Sequence, residues 1–270
     1  MKGWVLEDID WARFDAAKVD PETVKVVKAA SLVEHNGADY GTYLCNVFHD
    51  DPLFQTAARD WAREEIRHGR ALRAWAERAD PTFDFDAAFK KFTDGYRLQL
   101  DAGSSIRGSR AGELVARCIV ETGTSSWYSA IHDGTDEPVL REICRLIAAD
   151  ELRHYKLFYL HLKRYLDAEN LGRWQRLRVA AGRLAESEDD ELAYAYYAAN
   201  GEGEYNRRAA TLAYARRAYA FYRPQHVTRG MAMIFKAIGL DPQGRLHRLA
   251  SRAAWWLVET RARRLDRIAA

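Results

Sequence analysis

Residues 61–69 read WAREEIRHG, and residues 147–154 read IAADELRH. Both contain the same order of groups: Glu64-Glu65-Ile66-Arg67-His68 in one, Asp150-Glu151-Leu152-Arg153-His154 in the other. A Glu and a His three positions apart share one face of an α-helix. Glu65 therefore points with His68, and Glu151 points with His154. The residues that continue each face at helical spacing are mostly apolar. They are Ala58, Trp61, Leu72 and Trp75 for the first, and Cys144, Ile147 and Phe158 for the second. Ionisable groups thus sit within core-like stripes, where burial without compensation is costly.

A single glutamate precedes each motif by one helical hairpin. Glu34 lies 31 positions before Glu65, and Glu121 lies 30 positions before Glu151. Glu34 shares a stripe with Val27, Ser31, Ala38 and Cys45; Glu121 shares one with Leu114, Cys118, Ser125 and Tyr128. Two copies of one hairpin predict a four-helix bundle with approximate two-fold symmetry. Four carboxylates and two imidazoles then converge on one core, and no set of basic residues shares their stripes. Two divalent cations would neutralise the four carboxylates. One Glu-x-x-His arises often on a helix surface, but two copies with a partner Glu each are specific. Metal-bound His usually donates its other N–H to a carboxylate or a carbonyl. Asp150 is accordingly paired with His68, and Glu64 with His154. Arg67 and Arg153 either tie these acids down or lie on the surface. His35 is expected to face away from the site, and His161 to line the bundle end. Ser31, Ala38 and Gly41 are expected to leave room for a substrate.

The remaining sequence supports an all-α fold. Six Pro and 17 Gly in 270 residues punctuate the chain sparsely, as long helices require. Helices are expected over about 20–48, 51–78, 86–100, 111–131, 137–167, 171–199, 206–222, 228–238 and 242–268. Residues 1–168 are read as the di-metal bundle, with an irregular lead-in over 1–20. Residues 169–270 are read as a C-terminal helical extension packing on it. The Tyr-rich run at 194–197 and the Trp255-Trp256 pair are read as packing or interface residues. Three Cys without CxxC spacing fit reduced thiols in a cytoplasm. The acidic start MKGWVLEDID is not expected to act as a signal peptide, and no apolar run is long enough to span a membrane. Residues 205–270 carry 14 Lys and Arg against 3 Asp and Glu, whereas residues 1–204 carry 27 against 36. That basic end suits an acidic protein, an anionic membrane surface or nucleic acid, or is simply a solvated Arg-rich surface.

A Glu from each of two helices plus Glu-x-x-His from each of the other two is the ligand set of ferritin-like di-iron and di-manganese proteins. The chain resembles that superfamily, and within it the soluble acyl-carrier-protein desaturases, over about residues 22–165. WAREEIRHG resembles the family's Glu-Glu-Asn-Arg-His-Gly motif, and IAADELRH its Ala-Ala-Asp-Glu-Lys-Arg-His motif. The resemblance implies a ferritin-like bundle with two iron ions per chain, manganese being the alternative. They would be held by Glu34, Glu65, His68, Glu121, Glu151 and His154. It further implies that Thr124, three after Glu121, takes part in oxygen activation. It also implies that Asp150 links a ligand His to a Trp, either Trp4 or Trp11, on an electron-entry path. The implied activity is O2-dependent desaturation or hydroxylation of an apolar, fatty-acyl-like substrate. The implied partners are an electron donor such as ferredoxin and an acyl carrier protein on the basic C-terminal surface. A homodimer is implied as well, and no specific nucleic acid. The wording around Glu121, VETGTSSWYSA, differs from the desaturases, and residues 170–270 have no counterpart in them.

The rival reading is a di-iron protein without an organic substrate, a rubrerythrin-like peroxidase or a ferroxidase. A rubredoxin-type iron would need a Cys-x-x-Cys pair, which the chain lacks, and a ferritin would need less chain than this. A purely structural adaptor has no need of six buried ligands.

Overall fold

Asp20 accepts hydrogen bonds from the amides of Glu22 and Thr23, and Pro21 takes the first helical position. That pairing opens α1 (Pro21–His35). The same device starts two more long helices: Asp51 caps α3 (Pro52–Ala79), and Glu137 caps α6 (Pro138–Glu169). Ser109 caps α5 (Arg110–Gly134) through the amide of Gly112. Between α1 and α3 lies α2 (Gly37–Val47), and α4 (Phe85–Gly95) follows α3. The C-terminal part comprises α7 (Arg173–Ala185), α8 (Asp190–Asn200), α9 (Arg207–Ala220), α10 (Pro224–Ile238) and α11 (Arg245–Ala269). The computed structural model describes residues 3–186 and 190–269; among them the elements are all helical, and the lead-in forms three short 3-10 turns.

Several boundaries differ from the sequence expectation. The single helix expected over 20–48 is two, broken at Asn36. The break coincides with a close approach: a Cβ on Gly37 would lie 2.6 Å from the Glu65 Cβ, and a Cβ on Gly69 would lie 2.5 Å from the His35 amide nitrogen. The backbones of the α1–α2 junction and of α3 therefore meet at the two glycines. The helix expected over 86–100 ends at Gly95, where the ring of Tyr194 lies against the backbone. The helix expected over 171–199 is α7 and α8, with residues 187–189 outside the described residues. Proline at the first position starts α10 at Pro224, four residues earlier than expected.

α1 packs along α3, α5 packs along α6, and α3 meets α6. Two apolar clusters fill this arrangement from either end. One gathers Phe48, Phe54, Trp61, Leu114 and Phe158; the other gathers Val27, Leu72, Trp75, Ile131 and Ile143. Each fully buried Leu or Phe in them contributes roughly 1.5–3 kcal/mol. The sequence positions of the charged motifs fall between the two clusters on α3, α5 and α6. α7 and α10 pack on α5, α8 packs on α1, and α9 and α11 pack on one another.

Candidate metal centre

Glu34 stands one residue before the end of α1, Glu65 and His68 lie in the middle of α3, Glu121 in α5, and Glu151 and His154 in α6. All six are buried, Glu65 being the most exposed at 9%. Their donor atoms form two groups, each with every atom within 4.8 Å of the others. One is Glu34, Glu65, His68 and Glu151; the other is Glu65, Glu121, Glu151 and His154. Glu65 and Glu151 belong to both. Each group could hold a metal ion, and the two groups have two carboxylates in common.

The imidazoles are oriented for this. Nδ1 of His68 turns inward, 3.2 Å from Glu151 and 3.6 Å from Glu34; Nδ1 of His154 lies 3.0 Å from Glu65 and 3.7 Å from Glu121. The outward nitrogens donate to carboxylates, Nε2 of His68 to Asp150 at 3.1 Å and Nε2 of His154 to Glu64 at 2.9 Å. The pairings anticipated for Asp150 and Glu64 are therefore both present. Arg67 donates to Asp150 at 2.7 Å, and Arg153 bonds both acids. Burial works against charge on Asp150 and Glu64, but the imidazoles and Arg153 outweigh it and hold both carboxyls low.

Five inward atoms, Glu34 Oε2, Glu65 Oε1, His68 Nδ1, Glu151 Oε1 and His154 Nδ1, are buried without a hydrogen-bond partner. Orphaned buried polar atoms are expensive, and here they converge on common points. Oxygen and imidazole nitrogen suit iron, manganese or zinc. The residues present therefore fit a metal ion at each group. Two of the four carboxyls are driven toward the neutral form here. Burial and then the Glu151 and Glu34 charges push the Glu65 carboxyl well above its ordinary range. Burial and Glu151 push Glu121 up to about 7. Burial also opposes charge on Glu151, but the adjacent His154 and His68 imidazoles hold it well below the carboxylate range. Burial likewise opposes charge on both imidazoles, and the surrounding carboxylates outweigh it and raise them well above theirs.

Thr124 is half-buried and donates to Glu151 Oε2 at 2.7 Å, so its hydroxyl touches one of the shared carboxylates. Of the two candidate tryptophans, Trp4 reaches the site: its Nε1 donates to Asp150 at 2.9 Å, and its ring stacks parallel to His68 at 6.0 Å. Trp11 instead donates to the Leu6 carbonyl. His35 sits edge-on to Phe85 and Phe89, and His161 edge-on to Phe54.

Two expectations are corrected. A basic residue does share the charged core: Arg117, largely buried, donates to Glu121 at 3.2 Å with its guanidinium 4.8 Å from the Trp61 ring. It stands one helical turn before Glu121, a spacing that could have revealed it. The small residues of the first helical stretch do not leave room for a substrate. Ser31 is buried and donates to the Lys28 carbonyl, a Cβ on Gly41 would come within 2.7 Å of the Ala62 Cβ, and Ala38 is exposed. The small size of Gly41 serves contact with α3. A further partner is Tyr128, read only as a stripe residue, whose hydroxyl donates to Glu34 at 2.5 Å.

No helix among the described residues is long and apolar enough to cross a membrane. No protein-family model matches the chain, and no curated protein matches it.

Proposed function

We propose that the helices form a ferritin-like bundle whose centre holds two redox-active metal ions, iron before manganese. The protein is then an O2-activating oxidoreductase that desaturates or hydroxylates an apolar, fatty-acyl-like substrate. The observation that carries this reading is the pair of four-residue donor groups sharing Glu65 and Glu151. Two iron ions so held would supply the electrons and Lewis acidity that O2 activation needs. Glu34, Glu65, His68 and Glu151 would hold one ion, and Glu65, Glu121, Glu151 and His154 the other. Asp150 and Glu64 fix the imidazole orientation, and second partners of this kind tune ligand basicity. Tyr128 holds Glu34 in place, and Arg117 offsets part of the carboxylate charge at Glu121. The Thr124 hydroxyl, on Glu151, is a proton carried beside the shared edge of the site. Electrons from a ferredoxin-type donor would enter past Trp4 and Asp150. An acidic acyl carrier protein would present the acyl chain.

The tight approach of Gly37 to Glu65 and of Gly41 to Ala62 favours a second reading, because it closes the face expected to admit substrate. That reading is peroxide reduction or iron oxidation with no organic substrate. One experiment separates the two. The protein is loaded anaerobically with ferrous iron and mixed with O2, with and without a long-chain acyl carrier protein. The acyl-oxidase reading expects the acyl chain to alter the oxidation kinetics and to lose two hydrogens or gain one oxygen by mass spectrometry. An unmodified chain together with rapid hydrogen peroxide consumption overturns it in favour of the second reading.

A further inference from the structure

α11 presents one face to the protein and an opposite, apolar face to the outside. His247, Ser251 and Leu265 form the buried one. On the other side Leu246, Leu249, Ala253, Trp256 and Leu257 recur at helical spacing in the open: Leu246 is 59%, Leu249 62% and Trp256 61% exposed. Large apolar side chains ranged along one exposed helix face mark an interaction surface. Arg245, Arg248, Arg252 and Arg263 are exposed alongside this stripe. α7 repeats the pattern, with Trp174 84% exposed, Leu177 on the same face and Arg173 and Arg178 beside them. Both helices pack on α10. The guanidinium of Arg176 in α7 lies against Gly239, in the turn that leads to α11. The N-terminal end of α7 is thus beside the end of α10, from which the chain turns into α11. Residues 173–185 and 245–265 together hold ten Arg and one acidic residue, Glu259.

We infer that the outer face of α11, with Trp174 and Leu177 of α7, docks the protein in the plane of an anionic phospholipid surface. An interfacial helix combines a leucine and tryptophan stripe with arginines at its borders, the stripe entering the acyl boundary and the arginines meeting phosphates. Exposed indoles suit the headgroup level. A second copy of the chain is a poor occupant, since like arginine borders would face one another. An acidic acyl carrier protein would meet the arginines, but it gives no reason for leucines and tryptophans exposed along two helices. This inference is independent of the chemistry at the metal centre.

The test is co-sedimentation of the metal-loaded full chain with two kinds of vesicle. One is pure phosphatidylcholine; the other is phosphatidylcholine and phosphatidylglycerol in equal parts. Binding is expected to the second, to weaken with added salt, and to fall about tenfold in Leu249→Glu and again in Trp174→Glu. Circular dichroism should stay unchanged, because both side chains are exposed. Failure to bind the anionic vesicles overturns the inference, as does binding that both variants retain in full. Two further outcomes reassign the face: a dimer by light scattering that Trp256→Glu dissociates, or binding of acyl carrier protein but not vesicles that Leu249→Glu abolishes.

Discussion

Glu121 shows how one residue is caught between opposing demands. Burial and the neighbouring Glu151 raise its carboxyl, while Arg117 and His154 draw it toward charge. Removing it would take away a donor and strand a largely buried guanidinium, and a lost partner at such a site costs about 1–3 kcal/mol. In Glu121→Ala the helices should stay folded by circular dichroism, while metal content per chain falls from two ions to one or none. Two ions retained in that variant would remove the site assignment. The convergence of the six buried carboxylates and imidazoles was legible from sequence because charge on an apolar stripe is costly and demands an explanation. Arg117 was not, although its spacing from Glu121 was visible, because spacing alone does not say whether a long cation turns inward or snorkels to water. Trp4 was legible only as one of two alternatives, since a lead-in of 3-10 turns has no periodicity to orient its side chains.

At the scale of elements, the contact that matters most is the one between α3 and the broken α1–α2 unit. A methyl on Gly69 would meet the backbone of His35 at 2.5 and 2.7 Å, and backbone cannot swing aside as a side chain can. Gly69→Ala should cost about 1–3 kcal/mol in thermal or urea unfolding, the range for overpacking. Gly123 offers the contrast: it lies exposed within α5 with nothing within 4 Å of a Cβ. Gly123→Ala should stabilise by up to about 1 kcal/mol through helix propensity. If both variants unfold alike, close packing does not explain Gly69. Sequence periodicity found both helices but not the break at Asn36, since propensity registers chain-local preference and not the proximity of another backbone. A second tie joins α1 to the end of α3, where Lys28 bonds Asp80. Hydrogen bonds from Lys28 and then Thr82 hold the Asp80 carboxyl below its ordinary value. A depressed carboxyl contributes stability above its unfolded value, about 3.9, and loses it as pH falls through the folded one. The Tm gap between the natural chain and Asp80→Asn should therefore be widest at neutral pH and close below about pH 4. A gap that persists unchanged into acid would show that the ion pair contributes nothing.

Over the whole molecule, the helical class and the pairing of hairpins were legible because caps, motifs and apolar stripes all agree. The route by which anything reaches the centre was not, because it depends on how side chains fill space between helices rather than on any spacing along one. The paired hairpins also carry an asymmetry. The Glu34–His68 position is flanked by the buried Tyr128 hydroxyl and, through Asp150, by an indole and two arginines. The Glu121–His154 position has a guanidinium on its glutamate, and its outer carboxylate, Glu64, is only half-buried. On the proposed two-ion reading, a frame repeated in outline but not in surroundings would make two pockets of unequal appetite. The ions would differ in how firmly they are held, and the weaker berth would empty first when metal is scarce.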